Sequence, residues 1–361
     1  MKEYNTDLFI LQKNINNCLN KYTSKIDTYR SFLYLIRDLI YSTICIITTK
    51  FLLNYLNYYL VFILYSTTMG TILTGLWVIG HECGHGAFSK NKIINNSVGY
   101  IVHSSLLVPY FSWQYTHQKH HKYTNHLTLG ETHVPPTKNE FFLMLKIRDI
   151  IGEDAFVIFN IFVHLILGWP AYLFFNATGG KTQSDLKTRL KFFQFKDHFS
   201  SNSKILKKKF YPEISTFGCL FTIYLTIKYL QNSIIFWYIG PYIVVNSWLV
   251  LYTLLQHTDL NIPHYGSNQF TFLKGALSTI DRKYPYIIDC LHHHIGSTHV
   301  VHHLNYKIPH YLAKDATEEI KVILGKYYNY KDSSIIKELY NINKYCLYVS
   351  SEDGEQYYKY L

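Results

Sequence analysis

Five stretches of the chain are apolar almost without interruption, and polar segments separate them. Residues 31–55 read SFLYLIRDLIYSTICIITTKFLLNY, with Arg37 and Asp38 near the start, and residues 57–80 read NYYLVFILYSTTMGTILTGLWVIG. Further runs occupy 155–178, 214–230 and 233–256, the last two joined only by Gln231 and Asn232. Each approaches the ~20 residues that a helix needs to cross the hydrocarbon of a bilayer. A shorter run, 95–113, is broken by Gly99 and Pro109 and predicts an interfacial or re-entrant piece. Residues 1–30 are polar and lack the h-region and small residues of a cleavable signal peptide, and 257–361 carry no further span. The pattern predicts an all-α integral membrane bundle.

Composition supports this. Charged residues make up 16% of the 361 and hydrophobic ones 48%, whereas soluble domains carry roughly 25% charge. The six cysteines (Cys18, Cys45, Cys83, Cys219, Cys290, Cys346) form no C-x-x-C pair, so neither a disulfide framework nor a thiolate metal site is expected. The formal charge of +11 raises nucleic acid as a partner, but no RRM-, KH- or zinc-finger-like pattern accompanies it. The basic residues sit between apolar runs, where cytoplasmic loops face anionic lipid. No nucleic-acid partner is expected, and nothing sets the oligomeric state.

The 19 histidines are clustered rather than spread. His81 and His85, in HECGH, are four apart and share one helical face where the second apolar run ends. His117, His120 and His121 in HQKHH repeat the spacing, as do His299, His302 and His303 in HVVHH; His257 closes the last apolar run. HECGH also matches H-E-x-x-H, the pattern that places two zinc ligands and a general base in a metalloprotease. A catalytic zinc needs three protein ligands and an open position. Eight or nine imidazoles exceed that and suit two metal ions, with Zn, Cu, Fe and Ni all compatible with the ligand type. In that setting Glu82 points about 100° from His81 on the helix and is expected to hydrogen-bond a ligand imidazole, fixing its tautomer. Isolated histidines such as His198, and the run His292-His293-His294, read as exposed loop residues, with a supporting partner for the ligands as the alternative within the run.

If the clusters build one site they share a side of the membrane, so an even number of crossings separates His121 from His257. One of the three runs between them then fails to cross. The run 155–178, which contains Pro170, Asn160 and Asn176, is expected to lie along the interface. This leaves spans near 31–55, 57–80, 214–230 and 233–256, a cytosolic N-terminal segment 1–30, and cytosolic parts 81–210 and 257–361. The lysines crowding 181–210 agree with that orientation.

HECGHGAFS, HQKHH and HVVHH, with LLVPYFSW between the first two, resemble the three histidine boxes of membrane fatty acid desaturases. The stretches LLQHTD, LKGALSTIDRKY, THVVHHLNYKIPHY and AKDATEEIKVILGKYYNY resemble the acyl-lipid delta-12 (oleate) and omega-3 branch. The likeness runs from about residue 31 to the C-terminus. It implies about four transmembrane helices plus interfacial helices, and a cytosolic histidine-rich domain holding a non-haem di-iron centre. The implied ligands of the two Fe ions are His81, His85, His117, His120, His121, His299, His302 and His303, with His257 as an additional ligand. The resemblance further implies dioxygen as oxidant, membrane lipid acyl chains as substrate, and cytochrome b5 as electron donor. No haem-binding module is evident in the sequence, so the donor is expected to be a separate protein. It also implies the endoplasmic reticulum, although the terminal YYKYL departs by one position from the retrieval tails of relatives. PYFSW and QHTD lean toward delta-12, while HECGHG and HHHIGSTHVVHH lean toward omega-3; a hydroxylase on the same scaffold is the nearest rival. Taking hydrogen from an unactivated methylene needs a metal-bound oxidant rather than an acid–base side chain, so no catalytic residue is assigned beyond the metal centre.

Overall fold

The computed structural model describes residues 2–181, 197–200, 202–203, 205–206 and 210–360. The lysine-rich segment assigned to the cytosolic side lies largely outside these residues. Helices dominate: α1 (Lys2–Thr23), α2 (Thr28–Leu52), α3 (Tyr58–His85), α4 (Lys92–Ser105), α5 (Tyr110–Lys122), α6 (Phe142–Ile151), α7 (Glu153–Phe175) and α8 (Phe210–Leu230). A π-helical turn, Ile235–Ile239, runs straight into α9 (Gly240–His257). The polar C-terminal part adds α10 (Phe272–Leu277), α11 (Tyr286–Leu291), α12 (His299–Leu304), α13 (His310–Leu324) and α14 (Ile335–Tyr345). Strand β1 (His264–Tyr265) pairs antiparallel with β4 (Glu355–Gln356), and β2 (Asp281–Arg282) pairs parallel with β3 (Tyr330–Lys331).

Among the described residues, four helices are long and apolar enough to cross a membrane: Thr28–Leu52, Tyr58–His85, Glu153–Phe175 and Ile235–His257. By length and composition alone the run expected along the interface is one of them, and Phe210–Leu230, expected to cross, is not. Both ends of α7, however, contact the side that bears the histidines, Glu153 pairing with Lys344 of α14 and Tyr172 meeting Thr116 of α5. Proline weighed against α7 in the sequence, yet membrane helices tolerate it when a neighbour supplies the lost hydrogen bonds. Pro170 leaves Ile166 O without its helical donor; the Ser247 hydroxyl on α9 donates to the adjacent Leu165 O at 3.0 Å, holding the two helices together at this turn. Either choice of helix leaves an even number of crossings between His121 and His257.

Helix α3 is the axis of the bundle, packed by α2, α4 and α9. Small residues let the backbones approach. A Cβ at Gly70 would lie 2.4 Å from Val244 of α9, and one at Gly80 would lie 2.2 Å from the His103 ring of α4. Asn57 starts the helix by accepting from Tyr59 N and Leu60 N. Gly86 stops it in the left-handed conformation (φ 73°), and Ala87 N closes back onto Glu82 O at 2.9 Å. This stop leaves His81 and His85 in the last two turns, facing the polar domain.

The polar domain is not a loose set of loops. Ile15, Leu19 and Tyr22 of α1 pack with Val300, Val301, Ala316 and Ile320 into one core directly beneath HVVHH. The N-terminal segment thus folds onto the domain. The C-terminal tail is also tied down: Lys359 N donates to Tyr348 O at 2.8 Å, and Tyr358 packs on the His264 ring. Arg282 joins this domain to the last span. Its guanidinium is fully buried, donating from Nη1 to Glu338 at 2.7 Å and from Nε to Leu255 O at 2.7 Å, two residues before His257. Removing one partner of a buried pair strands the other charge, at a cost of about 3–5 kcal/mol. Glu338→Ala is therefore expected to lower the thermal midpoint of the purified protein clearly, while Lys283→Ala, in an exposed pair with Asp332, leaves it nearly unchanged. Equal midpoints for the two variants would show that Arg282 does not act as a clamp.

Candidate metal centre

Four elements deliver the clustered histidines: the end of α3 (His81, His85), α5 (His117, His120, His121), the end of α9 (His257) and α12 (His299, His302, His303). Side-chain nitrogens of His81, His85, His117, His121 and His302 all lie within 4.8 Å of one another, and those of His120, His257 and His303 form a second such set. His299 borders the second set, its Nε2 lying 2.9 Å from His257 Nε2. All nine residues singled out in the sequence are therefore brought to one place, around two foci.

The nitrogen spacings fit metal ions. Nε2 atoms face each other at 3.2 Å in His81–His85, 3.2 Å in His117–His121 and 3.1 Å in His121–His302. With metal–nitrogen bonds of ~2.1 Å, adjacent ligands of an octahedron stand about 3.0 Å apart, the bond length times √2. Neutral imidazoles also have the required protonation state. Burial, reinforced by the neighbouring rings, holds His117, His121, His299 and His303 well below the ordinary imidazole value. Burial pushes His120 down to about 4, and burial with His120 nearby takes His302 to about 3. His303 Nε2 is buried without any hydrogen-bond partner, an orphaned lone pair aimed into the second set.

The other ring nitrogens set the tautomers. Thr132 Oγ1 lies 3.1 Å from His120 Nδ1, and Thr124 Oγ1 lies 3.0 Å from His303 Nδ1. The Thr124 hydroxyl in turn donates to His120 O at 2.8 Å. The hydroxyl therefore accepts from His303 Nδ1–H, and Nε2 is left bare. Threonines three or more residues beyond a histidine box carry no signal in sequence, and neither was foreseen.

Three expectations are corrected. Glu82 does not hydrogen-bond His81, whose Nδ1 is 3.8 Å away; its carboxylate accepts from His310 N at 2.9 Å, at the start of α13. It is thus turned from both histidine sets, and the H-E-x-x-H resemblance to a protease ends there. His198 is fully buried, with Nδ1 near Leu173 O and Nε2 near Thr116, because it bolts a loop onto α5 and α7. His292 and His293 are buried too, yet join neither set. His292 Nδ1 is 2.7 Å from Tyr252 OH and Nε2 2.8 Å from Thr71 O; His293 Nε2 is 2.7 Å from Asp38. A carboxylate in a span demands a partner, and Asp38 was the signal that could have located His293.

Indoles form the wall beside the histidines. Trp77 stacks on His81 at 5.6 Å and Trp113 on His117 at 4.5 Å. A narrow cavity bounded by these rings, Trp169, Tyr172 and Leu249 opens onto His81, His117, His120, His257 and His299. The larger groove of the bundle, 590 Å³ between α2 and α3, touches no member of either set.

The profile of one family, described as Fatty acid desaturase, matches residues 57–334. A Delta(12) fatty acid desaturase of Calendula officinalis is 38% identical over 359 residues, covering 95% of this chain and 88% of that protein. A Delta(12) fatty acid desaturase of Mortierella alpina is 36% identical, covering 85% and 79%. The "Omega-6 fatty acid desaturase, endoplasmic reticulum isozyme 1" of Glycine max is 37% identical, covering 90% and 82%.

Second-sphere partners typically change metal affinity 10–100-fold. Thr124→Val and Thr132→Val are each expected to weaken metal binding at the second set by about that factor, read by chelator competition, with the five-histidine set less affected. Wild-type affinity in both variants would remove the hydroxyls from the account.

Proposed function

Because the chain belongs to the fatty acid desaturase family, we propose that it inserts a cis double bond at the delta-12 position of a membrane-lipid oleoyl chain. The observation that carries this reading is the juxtaposition of two imidazole sets with an apolar, indole-walled cavity. The delta-12 position is supported by the printed names of relatives that are 36–38% identical over most of the chain.

In this reading His81, His85, His117, His121 and His302 hold one iron, and His120, His257, His299 and His303 hold the other. Two irons would supply the dioxygen-derived oxidant that removes hydrogen from an unactivated methylene. The rest is the work of the chain itself. All-imidazole ligation adds no negative charge, which keeps the metals electrophilic. The cavity walls exclude water and hold the acyl chain extended beside the histidines, so that reaction occurs at a fixed carbon. Electrons come from outside, one at a time, from cytochrome b5. Residues 1–30, 81–210 and 257–361 face the cytosol in the endoplasmic reticulum membrane, with α7 lying along its surface and Phe210–Leu230 crossing, in keeping with the name of the Glycine max relative.

Expression in a host whose lipids contain oleate is expected to yield linoleate. Ricinoleate would instead mark a hydroxylase, and alpha-linolenate an omega-3 enzyme. His120→Ala and His302→Ala are each expected to abolish the product without preventing membrane insertion. Retained product in both would overturn the ligand assignment.

A further inference from the structure

The cavity wall contains two hydrogen-bond donors that a saturated hydrocarbon cannot satisfy. Trp77 and Trp169 meet edge to face at 6.0 Å and are 8% and 6% exposed. Neither indole Nε1–H has an acceptor. Trp248, outside this cavity, shows the ordinary arrangement: its indole donates to Thr71 Oγ1 at 3.1 Å. Buried donors nearly always find partners, and one left alone calls for an explanation. Trp113, packed against Trp77 at 5.4 Å and stacked on His117, holds this corner of the cavity in register with the histidines.

An acyl chain offers one group that can meet such a donor in its interior, a carbon–carbon double bond. A π cloud accepts a weak hydrogen bond from N–H, which a saturated methylene cannot do. Trp77 lies one turn before His81 on α3, so an alkene seated on it is only a few carbons from the histidine sets.

We propose that Trp77 and Trp169 recognise a double bond already present in the substrate. The preferred chain is then cis-monounsaturated, and its existing alkene, seated on the two indoles, fixes which methylene faces the histidines. Trp77 and Trp169 are positioning residues in this scheme; they take no part in bond breaking. The proposal rests on the desaturase reading above and names the groups that read the chain.

The test compares oleoyl with stearoyl lipids competing for the full-length protein in lipid nanodiscs. Binding is measured on metal-loaded protein without dioxygen or electron donor, so that no turnover occurs, and turnover is measured with both supplied. The unaltered protein is expected to prefer oleoyl. Trp77→Phe and Trp169→Phe keep an aromatic ring but lose the N–H, and each should lower the oleoyl-to-stearoyl binding ratio about threefold, the pair about tenfold. Stearoyl affinity should stay within about twofold, and Trp248→Phe should leave the ratio unchanged. An unchanged ratio in both cavity variants overturns the proposal, including the case where both lipids weaken alike, as loss of packing or of a bound water would produce. A second arm needs no substitution: the unaltered protein should bind cis-9 chains more tightly than trans-9 or saturated chains of equal length. Equal binding of all three overturns the proposal. Failure of the desaturase reading looks different, since oleate would then give no linoleate whatever the binding ratios.

Discussion

Buried lone pairs pointed at one another are the constraint around which the rest of this fold is organised. Five imidazole nitrogens stand within 4.8 Å of one another, with His81, His85, His121 and His302 buried and His117 half-buried. Without a cation they can only share protons pairwise in N–H···N contacts, and none can be charged cheaply because burial disfavours the protonated form. A bound metal would replace these contacts by ligation, and part of the folding free energy of this region would then be metal-binding free energy. The flanking architecture supports that arrangement. Gly86 ends α3 just beyond His85, Arg282 grips the backbone before His257, and a core formed in part by α1 supports α12.

Among the described residues, four carboxylates near the site, on Glu82, Asp281, Glu131 and Asp38, are committed elsewhere. Glu82 accepts from His310 N, Asp281 from Val300 N and Tyr328 OH, and Glu131 pairs with Lys119. Asp38, inside a span, is taken by Arg37 and His293. Had any of these turned to the histidine sets, a metal there would gain negative charge and lose electrophilicity. Keeping acids near the site but engaged with backbone donors and cations gives rigidity without changing the ligand field.

The histidines were legible because helical spacing is a local property: i, i+3 and i+4 offsets place imidazoles on one face whatever surrounds them. That HECGH, HQKHH and HVVHH meet was legible only through their excess over what one zinc can use. The partition into sets of five and three, by contrast, depends on the tertiary crossing of α3, α5 and α12. His120 and His121 are neighbours in sequence yet serve different foci. Supporting groups were hidden for the same reason. Thr124, Thr132 and His292 act through contacts with distant chain, and their immediate surroundings read as ordinary loop. The long apolar helices were readable from length and hydropathy; for α7 and Phe210–Leu230 those two properties and the parity of the histidine clusters favour different spans.

The central claim concerns two metals in unequal imidazole cages, and iron analysis with Mössbauer spectroscopy of the purified protein addresses it most directly. The account predicts two irons per chain and two resolvable iron environments, because one set offers five imidazoles and the other three or four. One metal per chain, zinc in place of iron, or a stably folded protein that binds no metal would contradict it.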